Sequence, residues 1–214
     1  MLRRNFLIGS GLSLSALVMP GFGQAIAAEA LLLPMDVSRK KSLVDIALNL
    51  ATSGGASYCD VRIGRYLQQS IITRESKVQS IVSSESIGAG IRVLVKGAWG
   101  FAATSDLTAT GIGNGVQQAM LIANSNAKIQ TQPVQLAKAP ALGVVSWATP
   151  IKINAMAIPV KEKADLLLSV NAAAMNAGAN FVNSQLFLVN EQKYFASTDG
   201  SYIDQDVHRL WAPF

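Results

Sequence analysis

With 214 residues, half of them hydrophobic and 14% charged, the chain has enough apolar side chain for one sizeable core and is no disordered polymer. Its formal net charge of +5 falls to 16 basic against 13 acidic groups, or +3, without Arg3 and Arg4, which lie in a segment expected to be removed. So small and scattered a charge, with few interleaved aromatics, excludes a nucleic-acid groove, and a single cysteine, Cys59, excludes an intrachain disulfide and thiol-rich zinc sites.

The chain opens on Arg3-Arg4-Asn5-Phe6-Leu7, continues as an apolar run to about Phe22 and closes on Ala25-Ile26-Ala27. A basic start, a short apolar stretch and a small-x-small end describe an export signal over 1–27. The run holds several Gly and Ser plus Pro20 and is shorter than a membrane-spanning helix requires. Arg3-Arg4 with Phe6 and Leu7 resembles the twin-arginine signal, with Leu2 and Ile8 departing from that pattern. An ordinary secretory signal or an uncleaved anchor is the alternative. Residues 28–37 read as a linker, and no membrane association is expected once the signal is gone.

From there one α+β domain is expected over 38–214, an antiparallel sheet flanked by helices. Ser38 is placed to cap a helix over 39–52 with Leu43, Ile46, Ala47, Leu50 and Ala51 on its apolar stripe, ended by Gly54-Gly55. The period then changes to two: 59–63, 68–74, 77–83 and 87–95 read as strands, Lys96-Gly97 as a turn and 98–104 as a returning strand. Connections this short demand antiparallel pairing. Ser105 or Asp106 should cap a second helix to about 124, and 125–158, with Pro133, Pro140 and Pro150, reads as irregular. Pro159 opens a third helix to 177, closed by Gly178. Strands over 181–189, 193–197 and 201–207 follow, the last two joined at Asp199-Gly200. Gly55-Ala56-Ser57-Tyr58 is echoed by Gly178-Ala179-Asn180-Phe181, which hints at a repeated unit of a helix followed by strands.

Catalytic chemistry is sparse. His208 is the sole histidine, so neither a His-x-x-x-His zinc site nor an H-E-x-x-H motif can be built, and no G-x-S-x-G elbow exists. Asp204, Asp206 and His208 alternate and would share one strand face, either as metal ligands or, as preferred here, as a solvated face. Gly88-Ala89-Gly90 falls within a strand pattern and Gly111-Ile112-Gly113-Asn114-Gly115 within a helical stripe, so neither reads as a phosphate loop. Arg39-Lys40-Lys41 reads as a solvated helix start, and the pairs Asp60/Arg62 and Arg74/Glu75 as exposed strand charges. Cys59 reads as a buried strand residue. No catalytic and no metal-binding residue is assigned in this chain.

Several motifs in order carry a resemblance. Gly55-Ala56-Ser57-Tyr58-Cys59-Asp60-Val61-Arg62-Ile63 resembles the opening of the N-terminal domain of TldD/PmbA metallopeptidases. The stretches running through Glu85, Gly88, Gly90 and Arg92, and through Gly97, Gly100 and Phe101, are similar to the next two signatures. Trp147-x-x-Pro150 and Phe195-Ala196-Ser197-Thr198-Asp199-Gly200 keep the order. The resemblance implies a zinc peptidase acting on unfolded or modified peptides and working with a homologous partner subunit. It also implies an H-E-x-x-x-H motif downstream, which this sequence lacks, so the zinc is expected in the full-length protein and not here. The stop at Leu210-Trp211-Ala212-Pro213-Phe214, in strand-like sequence, points to a C-terminally incomplete domain. Either an enzyme's N-terminal domain or a non-catalytic partner module fits.

Overall fold

The computed structural model describes residues 34–214. The export-signal reading and all but the end of the 28–37 linker lie outside the described residues. Helix α1 is Val37–Ser53, and strands β1 (Tyr58–Arg74), β2 (Lys77–Val95) and β3 (Ala98–Thr104) follow. Next come α2 (Ala109–Asn126), β4 (Gly143–Ala148), α3 (Val160–Asn176), β5 (Asn183–Ser197) and β6 (Ser201–Trp211). The six strands form one open sheet in the order β3-β2-β1-β5-β6-β4, an α+β fold as expected. Among the described residues no helix is long and apolar enough to cross a membrane.

The helix starts differ from the sequence reading. Asp36, not Ser38, caps α1: its carboxylate accepts from the Arg39 backbone N–H at 3.0 Å and from the Ser38 hydroxyl. Thr108 caps α2 by accepting from the Gly111 N–H at 3.1 Å, which leaves Ser105 and Asp106 in the approach. The buried stripe of α1 is Leu43, Val44, Ala47, Leu48 and Ala51, so Leu50 lies outside it, exposed.

The strands are longer than alternation alone suggested. The breaks expected at 64–67, 84–86 and 190–192 do not exist, because β1, β2 and β5 run through them in continuous register. β4, inside the stretch read as irregular, pairs parallel with β6. Parallel pairing is possible there because α3 and β5 intervene, which supplies the long crossover that adjacent hairpins lack. Lys96 (φ 51) and Gly97 (φ 76) make the left-handed turn expected between β2 and β3. Gly55 and Gly178, both at positive φ, follow α1 and α3, and each helix leads into a long hairpin, β1–β2 or β5–β6. The two hairpins meet along β1 and β5.

Val61 and Ile71 stand an even number of positions apart on β1 and so share a face. Val61 belongs to the larger core, with Val44, Ile91, Val93 and Ile112 under α1 and α2. Ile71 belongs to a smaller one with Leu186, Leu188 and Leu167 under α3. All three helices therefore cover one face of the sheet, and each fully buried branched side chain there contributes about 1.5–3 kcal/mol. Asn171 of α3 fixes the far end of the β1–β2 hairpin. Its Nδ2 donates to Thr73 Oγ1 (3.1 Å) and to the Glu75 carbonyl (2.9 Å), and its Oδ1 accepts from Ser184 Oγ (2.5 Å). The opposite face of the sheet carries no helix among the described residues.

Candidate functional site: the open face and the free edge of β2

Strand register sets what the open face displays. One cross-strand row is Arg92, Asp60 and Ser197, and the next is Gly90, Arg62, Phe195 and Ile203. Below it run Gly88, Gly64, Lys193 and Gln205, then Ser86, Tyr66, Glu191 and Val207. Three glycines thus lie together, and a shallow groove of about 660 Å³ forms over their bare backbone. Neighbouring rings close on the glycines: a Cβ on Gly64 would come within 3.1 Å of the Tyr66 ring, and one on Gly90 within 3.2 Å of Phe101.

Two ionic clusters border the groove. At one end Arg92 Nε and Nη2 both donate to Asp60 Oδ2, at 2.8 and 2.6 Å, while the guanidinium sits 4.6 Å from the Trp99 ring centroid. Asp60 is only 3% exposed, so the reading of Asp60 and Arg62 as exposed charges is corrected for Asp60. Its partner lies across the β1–β2 ladder, where sequence proximity does not show it. At the other end Glu191, largely buried, accepts from Tyr66 (2.8 Å) and pairs with Arg209 (2.7 Å) and Lys193 (3.2 Å). Burial pushes the Glu191 carboxyl up, but the hydrogen bonds from Tyr66, Arg209 and Lys193 outweigh it and hold the group below its ordinary value. A carboxyl depressed by folding stabilises the protein above its unfolded pKa, and that stability is lost as pH falls through the folded one. Glu191→Gln is therefore expected to flatten the acid side of the stability profile measured by urea unfolding, with the wild type losing more on acidification.

The remaining sequence-derived positions fall as follows. Gly55 and Gly97 are turn residues, and Gly100 lies against α2. Glu85 pairs with Arg65 at 2.7 Å. Phe101 is 58% exposed on the open face. Lys40, read as solvated, is buried, with Nζ 2.5 Å from Asp204 and 5.4 Å from the Tyr194 ring centroid, because it points inward from the first turn of α1. Lys41 pairs with Asp45 at 2.6 Å and Arg39 is exposed, while Arg74 and Glu75 pair at 3.2 Å in solvent. Asp204, Asp206 and His208 do not converge. Asp204 is taken by Lys40, whereas Asp206 accepts from Asn190 and lies 3.4 Å from His208 Nε2. Among the described residues no group of three or more His, Cys, Asp or Glu side chains can hold a metal ion. Cys59 is fully buried, and burial together with the Asp60 charge pushes its thiol up to about 12. Native protein should therefore leave Cys59 unmodified by a disulfide thiol reagent at neutral pH, with stoichiometric reaction on unfolding.

Sequence reasoning missed Tyr66, Glu191, Lys193 and Arg209. They come together only through the β1–β5–β6 register, and a long alternation of polar residues on these strands was the available signal.

The edge next to the groove is open. β3 pairs with β2 only from Ala89 to Val95, so 77–88 has no strand partner on that side among the described residues. This overhang exposes Val78, Ile81, Val82 and Ile87, with Val82 at 54%. An edge that is long and unpaired and carries exposed apolar side chains among polar ones is a template for another strand.

Residues 59–123 match the family described as PmbA/TldA metallopeptidase domain 1. No curated protein sequence matches. Among solved structures, TldE from Thermococcus kodakarensis superposes with a TM-score of 0.63 at 11% identity, over 79% of this chain and 38% of that one. A Thermotoga maritima protein described as a candidate modulator of a DNA gyrase gives 0.59 at 15%, over 80% of this chain and 38% of that one. A Bacteroides thetaiotaomicron protein of like description gives 0.51 at 17%, over 80% and 39%. At these identities the structures show a shared fold, and this chain spans about 38% of the length of the first two. The motif order, the matched segment 59–123 and the shared fold agree: this chain is similar to the first domain of the PmbA/TldA metallopeptidases.

Proposed function

We propose that this chain supplies the substrate-gripping and assembly domain of an exported zinc metallopeptidase that acts on unfolded or modified peptides. The observation that carries the proposal is the unpaired 77–88 edge of β2. Its free backbone N–H and C=O groups can bond an extended peptide regardless of side-chain identity, which suits unfolded substrates. The residues described here do not fit a hydrolytic zinc, since His208 is tied to Asn190 and Asp206, so no chemical step is assigned to them. Peptide-bond cleavage and the zinc belong, in this proposal, to polypeptide outside the described residues and to assembly with a homologous subunit.

Calorimetric titration of the 214-residue chain with an unfolded peptide, followed by mass spectrometry of the peptide, tests this. Heat of binding with an intact peptide is expected, with or without added zinc. No heat at high concentration, or cleavage that a chelator stops, would sink it. A second reading, a non-catalytic partner module, would be excluded by a reading frame that continues into H-E-x-x-x-H.

Export rests on Arg3, Arg4, Phe6, Leu7, Ala25 and Ala27, and places the protein in the periplasm. Replacing Arg3 and Arg4 by lysine is expected to hold a reporter fusion in the cytoplasm. Unchanged export of that variant would show that the twin-arginine route is not used.

A further inference from the structure

The open face presents a cation that the rest of the fold does not neutralise. Arg62 is exposed at the head of the glycine groove, with its guanidinium carbon 5.6 Å from the Phe195 ring centroid. Among the described residues it has no carboxylate within ion-pair distance. Its neighbours are committed: Arg92 to Asp60, and Lys193 and Arg209 both to Glu191. The groups on this face thus sum to four cations against two carboxylates, an electropositive trough lined by Gly64, Gly88, Gly90 and Ala103. A guanidinium held over an aromatic ring is fixed in direction and keeps its forked donors for a carboxylate.

We infer that this groove binds an acidic segment of extended polypeptide, with a Glu or Asp side chain on Arg62 and the adjoining backbone lying over the glycines. Charge complementarity names the occupant, and the form of the groove narrows it. A chain-terminal carboxylate is captured by clusters of free backbone N–H groups. β1, which carries Arg62 and Gly64, is paired on both sides, so its N–H groups are spent in the sheet. The groove is also a shallow trough, which suits a segment passing through. Exposed Phe101 and the Tyr66 ring flank the floor and suit an apolar or aromatic residue next to the acid. The inference goes beyond the edge pairing proposed above, since it concerns the face of the sheet and discriminates by charge, whereas edge pairing does not.

The test uses the 214-residue chain and short peptides capped at both ends, alternating alanine with glutamate, glutamine or lysine. Fluorescence anisotropy is expected to show the glutamate peptide binding about tenfold tighter than the glutamine peptide, the effect of one well-formed charge-assisted contact. The preference should fade at high salt, vanish in Arg62→Gln and survive in part in Arg62→Lys. Arg62 is exposed, so thermal melting of Arg62→Gln should match the wild type. Equal binding of the glutamate and glutamine peptides would overturn the inference, as would an unchanged preference in Arg62→Gln. A glutamine peptide with a free C-terminus that matches the glutamate peptide would overturn it in favour of terminal capture. Single-stranded DNA that binds as tightly as the glutamate peptide, and equally through Arg62, would overturn it in favour of a generic polyanion surface. Loss of edge binding with retained Arg62 selectivity would count against the edge proposal alone.

Discussion

Gly100→Ala is expected to cost about 3 kcal/mol or more, enough to leave a domain of this size largely unfolded on mild challenge. A Cβ at Gly100 would stand 1.9 Å from the Ala119 carbonyl oxygen and 2.7 Å from the Ala123 backbone nitrogen. Both are helix backbone atoms, so no side chain can rotate away. Only retreat of α2 from β3 relieves the contact, and that retreat opens the core around Ile112 and Val116, which are nearly or fully buried. Gly113→Ala is the internal control. Its nearest neighbour would be Leu50 Cδ1 at 3.7 Å, an ordinary contact. Inside a helix the exchange should stabilise by about 0.5–1 kcal/mol. Urea unfolding of the two variants should therefore move in opposite directions, and a Gly100→Ala protein as stable as wild type would mean that α2 does not sit on β3 as described.

Arg92→Ala is expected to be the most costly change among the ionic groups. It leaves Asp60, 3% exposed, without the donors that hold its charge. Orphaning a buried charge costs about 3–5 kcal/mol; because the Arg92 side chain is 43% exposed and water can enter as it leaves, about 2–3 kcal/mol is expected here. Asp60→Asn should cost less, since it removes the buried charge and leaves Arg92 where water reaches it. The double variant should be more stable than the sum of the two single losses predicts, because the penalty in Arg92→Ala is the unpaired Asp60 itself. Strict additivity in urea unfolding would contradict the pairing.

Local rules carried the sequence reading as far as they apply. The left-handed turn at Lys96-Gly97 and the helix ends at Gly55 and Gly178 need only the backbone preferences of a few residues, and all three are where the sequence places them. Strand lengths were less legible. Polar residues at Gln69, Asn190 and Gln192 interrupt the apolar alternation, yet they lie, the first half-buried and the other two buried, in continuous strands whose backbone pairing does not depend on side-chain polarity. β4 was invisible because every one of its residues is exposed, so it carries no burial period at all. The open-face site was partly legible: Gly88, Gly90 and Arg62 stood in the motifs, whereas Gly64 did not, and the Glu191 cluster and the Asp60–Arg92 pairing arise from cross-strand register. Lys40 shows the converse, a charge that looks solvated in sequence and is buried because Asp204 reaches it from β6.

The central claim is that the free flank of β2 takes up an extended peptide, and hydrogen–deuterium exchange reads it directly. With a saturating unfolded peptide, the outward-facing amides of 77–88 should exchange more slowly, while those of the other exposed edge, β4, stay unchanged. Peptide binding without added protection anywhere in 77–88 would contradict the account.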